Sequence, residues 1–137
     1  MIRIERPPNY DAIVQVFPKA ATHGVLFAYG EDIFNPSNAN IPKWIAAHEY
    51  KHCARQFLTT PESWWGLYLK DPEFRYYEEV LAHAAEYREA LTFTPNDRNA
   101  MAKLLDRTAR RLIAPLYEYT GKTLQLALKD VARVAGL

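Results

Sequence analysis

His48-Glu49-Tyr50-Lys51-His52 is the stretch that decides how this chain is read. It follows Ile41-Pro42-Lys43-Trp44-Ile45-Ala46-Ala47, and Ile41, Trp44, Ile45 and Ala47 recur with the two histidines at helical spacing. Pro42 suits the first turn of a helix, where its missing N–H would have no partner anyway. A helix is therefore expected from about Pro42 to about Leu58. Residues four apart on a helix lie one turn above the other on one face. His48 and His52 can then reach a single metal ion while Glu49 leans toward a water on it. The bland alternative is a surface helix with two solvated histidines. The apolar residues sharing their face argue instead for an inward-facing pair.

Two histidines four apart with a glutamate beside the first form the minimum apparatus of a zinc peptidase. Catalytic zinc takes a third protein ligand and leaves a fourth position open. The candidates lie on the next long helical stretch, Asp71 to Thr92, where Asp71 is a good N-cap and Pro72 a good first residue. Glu78, Glu79, Glu86 and Glu89 compete for the role. Glu79, Ala82, His83 and Glu86 share one face, and Ala82 would let that face pack closely on the first helix. Glu78 and Glu89 flank the stripe and read as solvated charges. Periodicity alone does not choose between Glu79 and Glu86.

His48-Glu49-Tyr50-Lys51-His52 followed by Glu79-Val80-Leu81-Ala82 resembles the gluzincins, the thermolysin-like zinc peptidases with an HExxH…ExxA pattern. The short chain is similar to their small single-domain members, the minigluzincins. The likeness covers roughly residues 24–89. The stretches from His48 to Gln56, Trp64-Trp65 and Phe74 to Glu79 also resemble phage-encoded proteins of this type. The resemblance implies His48, His52 and Glu79 as ligands of Zn2+, with Glu86 the alternative ligand. It also implies Glu49 as the general base that activates a zinc-bound water against a peptide bond. His83 stands where that family usually has an aspartate or asparagine hydrogen-bonded to a ligating histidine, a departure from the pattern. His83 and Tyr87 are candidates for support behind the ligands or for donating to the oxyanion. Tyr76, Tyr77, Arg75 and Tyr117 are further donor candidates, and the sequence does not choose among them.

The rest of the chain bounds this reading. At 137 residues, with 49% hydrophobic and 24% charged residues, it is expected to form a single domain, 1–137, with a real core. A net charge of +1 gives no bulk attraction to nucleic acid. Arg98, Lys103, Arg107, Arg110 and Arg111 make a basic helix face read as solvated. The one cysteine, Cys53, excludes an internal disulfide and suits a reducing compartment, and it reads as packing. Neither a membrane-spanning run nor a signal-peptide pattern is evident, so a cytoplasmic protein is expected, in host cytoplasm or virion if phage-encoded.

Local patterns predict a short helix from Asn9 to Phe17, although Ile13-Val14-Gln15-Val16-Phe17 also fits a strand, and a strand from Val25 to Tyr29 bracketed by Gly24 and Gly30. A second strand is expected at Asp32 to Phe34, and a helix from Thr60-Pro61 to Lys70. Two further helices are expected, one opening at Pro95-Asn96-Asp97 and running to about Leu112, and one from Thr120 to Val134. Trp64, Trp65, Tyr68, Phe74, Tyr76 and Tyr77 read as core and lid packing. The fold class is α+β, mostly helical, zincin-like, with a short sheet before the metal-binding helix. The resemblance gives the Gly24–Gly30 strand the task of pairing with an extended peptide through an exposed edge. The implied partner is a peptide or protein substrate. Two other functions fit the same residues: a catalytically inactive assembly or recognition module, and a zinc amidase acting on cell-wall or acyl amides.

Overall fold

A computed structural model describes residues 1–119 and 121–137. Three short strands come first in importance for the site. β1 (Ile2–Arg3) runs parallel to β3 (Asp32–Phe34), and β3 pairs antiparallel with β2 (Phe27–Tyr29), in the order β1-β3-β2. The β2–β3 hairpin turns over Gly30-Glu31, with Tyr29 opposite Asp32. Gly30 holds a φ of +62°, a left-handed backbone that glycine adopts without strain. β1 had no sequence signal, being two exposed residues held by Arg3–Asp32 and Met1 N–Asp32 contacts.

Among the described residues, six α-helices make up most of the structure: α1 (Tyr10–Val16), α2 (Lys43–Gln56), α3 (Pro61–Lys70), α4 (Pro72–Leu91), α5 (Arg98–Leu112) and α6 (Leu124–Ala135). Their ends follow local chemistry. The Asp71 side chain accepts from the backbone N–H of Glu73 and Phe74, and the Thr60 side chain accepts from Ser63. Asp97 and Thr123 cap α5 and α6 in the same way. The expected start of the last helix at Thr120 lies outside the described residues, and the capped start is at Thr123. Pro42 sits just outside α2 as its N-cap, in extended backbone, instead of inside the first turn. Asn9 does not cap α1 with its side chain, and β2 is shorter than the Val25–Tyr29 stretch.

Two apolar clusters divide the molecule. One gathers Ile13, Phe17, Ala20, Phe27, Phe34, Trp64, Trp65 and Tyr68 from α1, the following 3-10 turn, the sheet and α3. The other gathers Tyr76, Val80, Tyr87, Ala109, Leu112, Ala127 and Val131 between α4, α5 and α6. α2 and α4 pack face to face between them, with Ala82 fully buried at the contact. Among the described residues no helix is long and apolar enough to cross a membrane.

Three buried polar side chains tie these parts together. Gln56, fully buried at the end of α2, donates from Nε2 to the Ala28 carbonyl at 2.9 Å and accepts the Gly30 N–H at 2.8 Å. Its amide thus stands where a neighbouring strand's peptide unit would. Trp65 Nε1 donates to the same Ala28 carbonyl at 3.0 Å. The outer edge of β2 is therefore closed at Ala28 and Gly30, which corrects the expectation of an open edge along Gly24–Gly30. Arg75, also buried, donates to the carbonyls of Tyr68, Tyr117 and Glu118 and staples residues 115–118 onto the α3–α4 junction. Glu78 is 1% exposed, pairs with Arg55 at 2.9 Å and accepts from Trp64 Nε1 at 2.7 Å. It is not the solvated charge the helical stripe suggested, because α3 folds back over that flank of α4.

Replacing Gln56 with leucine keeps the volume but strands the Gly30 N–H. It should cost about 2 kcal/mol, read from urea unfolding midpoints. Wild-type stability in that variant would remove Gln56 from its role at the sheet edge.

Candidate metal centre

α2 and α4 face each other, and their faces carry the polar residues that the apolar clusters cannot explain. His48 and His52, one turn apart on α2, are 4% and 5% exposed, and Glu79 on α4 is 2% exposed. His48 Nε2 lies 3.3 Å from Glu79 Oε1, and His52 Nε2 lies 2.9 Å from Glu79 Oε2. Both imidazoles thus present the same nitrogen to opposite oxygens of one carboxylate. The three ligand atoms lie within 4.8 Å of one another. Bonds of about 2.1 Å in a tetrahedron separate donor atoms by roughly 3.4 Å, close to the wider of the two spacings.

The unpaired atoms fit a cation at this point. Glu79 Oε1 is buried with no hydrogen-bond partner, whereas Oε2 accepts from the Tyr68 hydroxyl at 2.7 Å. An orphaned anionic oxygen in the interior costs stability unless a positive charge meets it. A neutral imidazole pair plus one carboxylate is the donor set that divalent zinc prefers.

A second group, His48, His83 and Glu86, also has its donor atoms within 4.8 Å. Its bonding pattern suits support and not ligation. His48 Nδ1 lies 3.1 Å from Glu86 Oε1. With Nε2 given to an ion, Nδ1 carries the proton and donates to that carboxylate. Arg111 bonds the other Glu86 oxygen, Oε2, so the acid is already neutralised. Glu86 therefore orients His48 in the way carboxylates fix metal-bound histidines. His83 Nδ1 lies 2.7 Å from the Glu79 backbone carbonyl. A carbonyl only accepts, so Nδ1 holds the proton and Nε2 keeps a lone pair, which is buried and unpartnered. His83 braces α4 behind Glu79 and stacks edge-on against His48, centroids 4.5 Å apart.

Other candidates are distributed unevenly. Glu49 is half-buried and lines the cavity that His48, His52 and Glu79 open into. Tyr117 and Arg111 line the same cavity. Tyr117 packs edge-on to His83 and is held there through Arg75. Tyr87, in contrast, is buried in the α4–α5–α6 cluster away from the cavity lining. Tyr76 donates to Asp130, and Tyr77 is exposed beside Arg55. Arg75 is spent on backbone carbonyls. Arg111, read from the sequence as one more solvated charge, is the one basic-face residue that joins the site. Nothing in the α5 pattern marks it, since the link runs to a residue 25 positions earlier.

Burial pulls the His48 imidazole down, but the carboxylates of Glu79 and Glu86 more than reverse this and hold it at about 10. Burial likewise pushes the Glu79 carboxyl up, and His52 and His48 drive it well below its ordinary value. Burial, then the charge of His48, keeps His83 neutral, lowered to about 3. The Glu49 carboxyl is raised by burial, against the pull of His48 and His52, which is the direction a proton-accepting base requires. Comparison with known families, curated proteins and solved structures finds no match.

A histidine whose folded value lies above its unfolded 6.5 stabilises the fold below that pH and loses the contribution as pH climbs. Chelator-treated protein should therefore lose stability between about pH 6.5 and about 10. His48→Gln should flatten that slope. Parallel pH profiles of the urea midpoint for the two proteins would contradict the coupling.

Proposed function

We propose that this protein is a zinc-dependent hydrolase that cleaves a peptide or related amide bond, with His48, His52 and Glu79 as the metal ligands. One observation carries the reading: the Nε2 atoms of His48 and His52 converge on the single carboxylate of Glu79, beside a cavity that Glu49 also lines. The orphaned Glu79 Oε1 supports it. So does the support of His48 by Glu86, which takes the place of the acid missing at His83. A purely structural zinc site fills all four positions from the protein and has no use for a carboxylate base beside an open corner.

Bound to these residues, zinc would polarise the substrate carbonyl and bring the pKa of a water toward about 7. Glu49 would serve as the base that accepts a proton from a water attacking the carbonyl carbon. It then delivers the proton to the amide nitrogen as the C–N bond breaks, leaving a carboxylic acid and an amine. Glu86, neutralised by Arg111, keeps the His48 ring in the tautomer that offers Nε2. Tyr117, which lines the same cavity, offers an O–H for the negative charge developing on the carbonyl oxygen.

Glu49→Gln should keep stoichiometric zinc while hydrolysis falls by about a hundredfold or more. Undiminished turnover by the Glu49→Gln protein would remove Glu49 from the role of base. Competition with a chromophoric chelator separates ligand from support. Glu86→Ala should weaken zinc by roughly 10- to 100-fold, and Glu79→Ala by more. The reverse order would make Glu86 the ligand.

A further inference from the structure

The cavity beside the proposed metal centre is larger than the chemistry needs, and much of its lining is apolar. It encloses about 550 Å³, within the range of small-molecule sites. One end holds His48, Glu49, His52 and Glu79. The other end runs beneath β2 into the first apolar cluster, where Ile13, Phe17, Ala20, Phe27 and Trp65 line it. Well-packed interiors leave few voids larger than a water. An apolar slot continuous with a reactive centre is where a substrate group belongs.

The sheet edge argues about the rest of the substrate. An extended peptide gains affinity from main-chain hydrogen bonds to a free edge. Here β2 spans only Phe27–Tyr29, and Gln56 and Trp65 already occupy the Ala28 carbonyl while Gln56 takes the Gly30 N–H. Upstream of the ladder, the Gly24–Leu26 stretch borders the cavity. Main-chain reading along β2 itself is thus restricted, and selectivity falls to the slot.

We propose that the substrate is a small amide bearing one large apolar group, an aromatic side chain or an aliphatic acyl chain, which fills the slot beneath β2, and that the cleft does not read an extended polypeptide. This rests on the zinc hydrolase reading for the reaction, but the slot itself does not.

Calorimetry on the zinc-loaded protein with three hydroxamates tests it: acetohydroxamate, 3-phenylpropionohydroxamate and octanohydroxamate. At least one long compound should bind about 30-fold or more tighter than acetohydroxamate, an order of magnitude set by burying a large apolar group, and which one does so distinguishes the aromatic from the aliphatic source. Ala20→Phe, or the milder Ala20→Val, should shrink that ratio. Equal affinities for all three, or a ratio untouched by both variants, overturn the proposal. So would peptidyl hydroxamates whose affinity climbs with each added residue. A probe without a metal-binding head, 3-phenylpropionamide, gives the independent arm. It should perturb the NMR signals of Ala20 and the Trp65 indole with or without zinc. If it does so while no hydroxamate binds, the metal reading fails and the slot stands; if it leaves both signals unmoved, the slot fails.

Discussion

One buried carboxylate set between two helices is the constraint on which the centre of this molecule depends. Glu79 brings a full negative charge into the α2–α4 contact, where 2% exposure leaves it little water. Such a charge is tolerated only when it is met. His52, His48 and Tyr68 approach it, and one oxygen still lacks a partner. Neither of the two apolar clusters includes this charge, which lies between them. Ala82, on the same face of α4, is fully buried.

The surrounding parts act by fixing geometry. Glu86 and Arg111 hold His48 from behind, and His83 holds the backbone of Glu79 from within its own helix. Each of these contacts gives a ring one tautomer and one orientation. Glu86 lies one turn beyond His83 on the same stripe of α4 and is the carboxylate that meets the His48 ring. Gln56 does comparable work at the sheet, where a side-chain amide ends the β2 ladder that another strand could otherwise extend.

Much of this was legible in the chain. The helical spacing of Trp44, Ile45, Ala47, His48 and His52 gave α2, and Asp71-Pro72 gave the start of α4. The shared face of Glu79, Ala82, His83 and Glu86 is the face that meets α2. What the pattern could not supply were contacts between distant elements. Glu78 looked solvent-exposed because nothing local says that Trp64 and Arg55 cover it. Arg111 looked like one of five equivalent cations, and only the packing of α5 against α4 singles it out. The free edge expected of β2 failed for the same reason, since Gln56 lies 28 residues beyond the carbonyl it occupies. β1 was too short to leave any periodic trace.

The staple made by Arg75 joins segments that lie more than forty residues apart. Its guanidinium sits among the rings of Phe17, Tyr68 and Tyr119 with carbonyls of residues 68, 117 and 118 as its hydrogen-bond acceptors. Removing the chain beyond α5 would leave that cation inside the protein with two of its three acceptors gone. Residues 1–112, although they hold both histidines and the glutamates, would thus keep the ligand set but bury a cation stripped of most of its acceptors, so the carboxy-terminal segment is part of what steadies the α3–α4 junction.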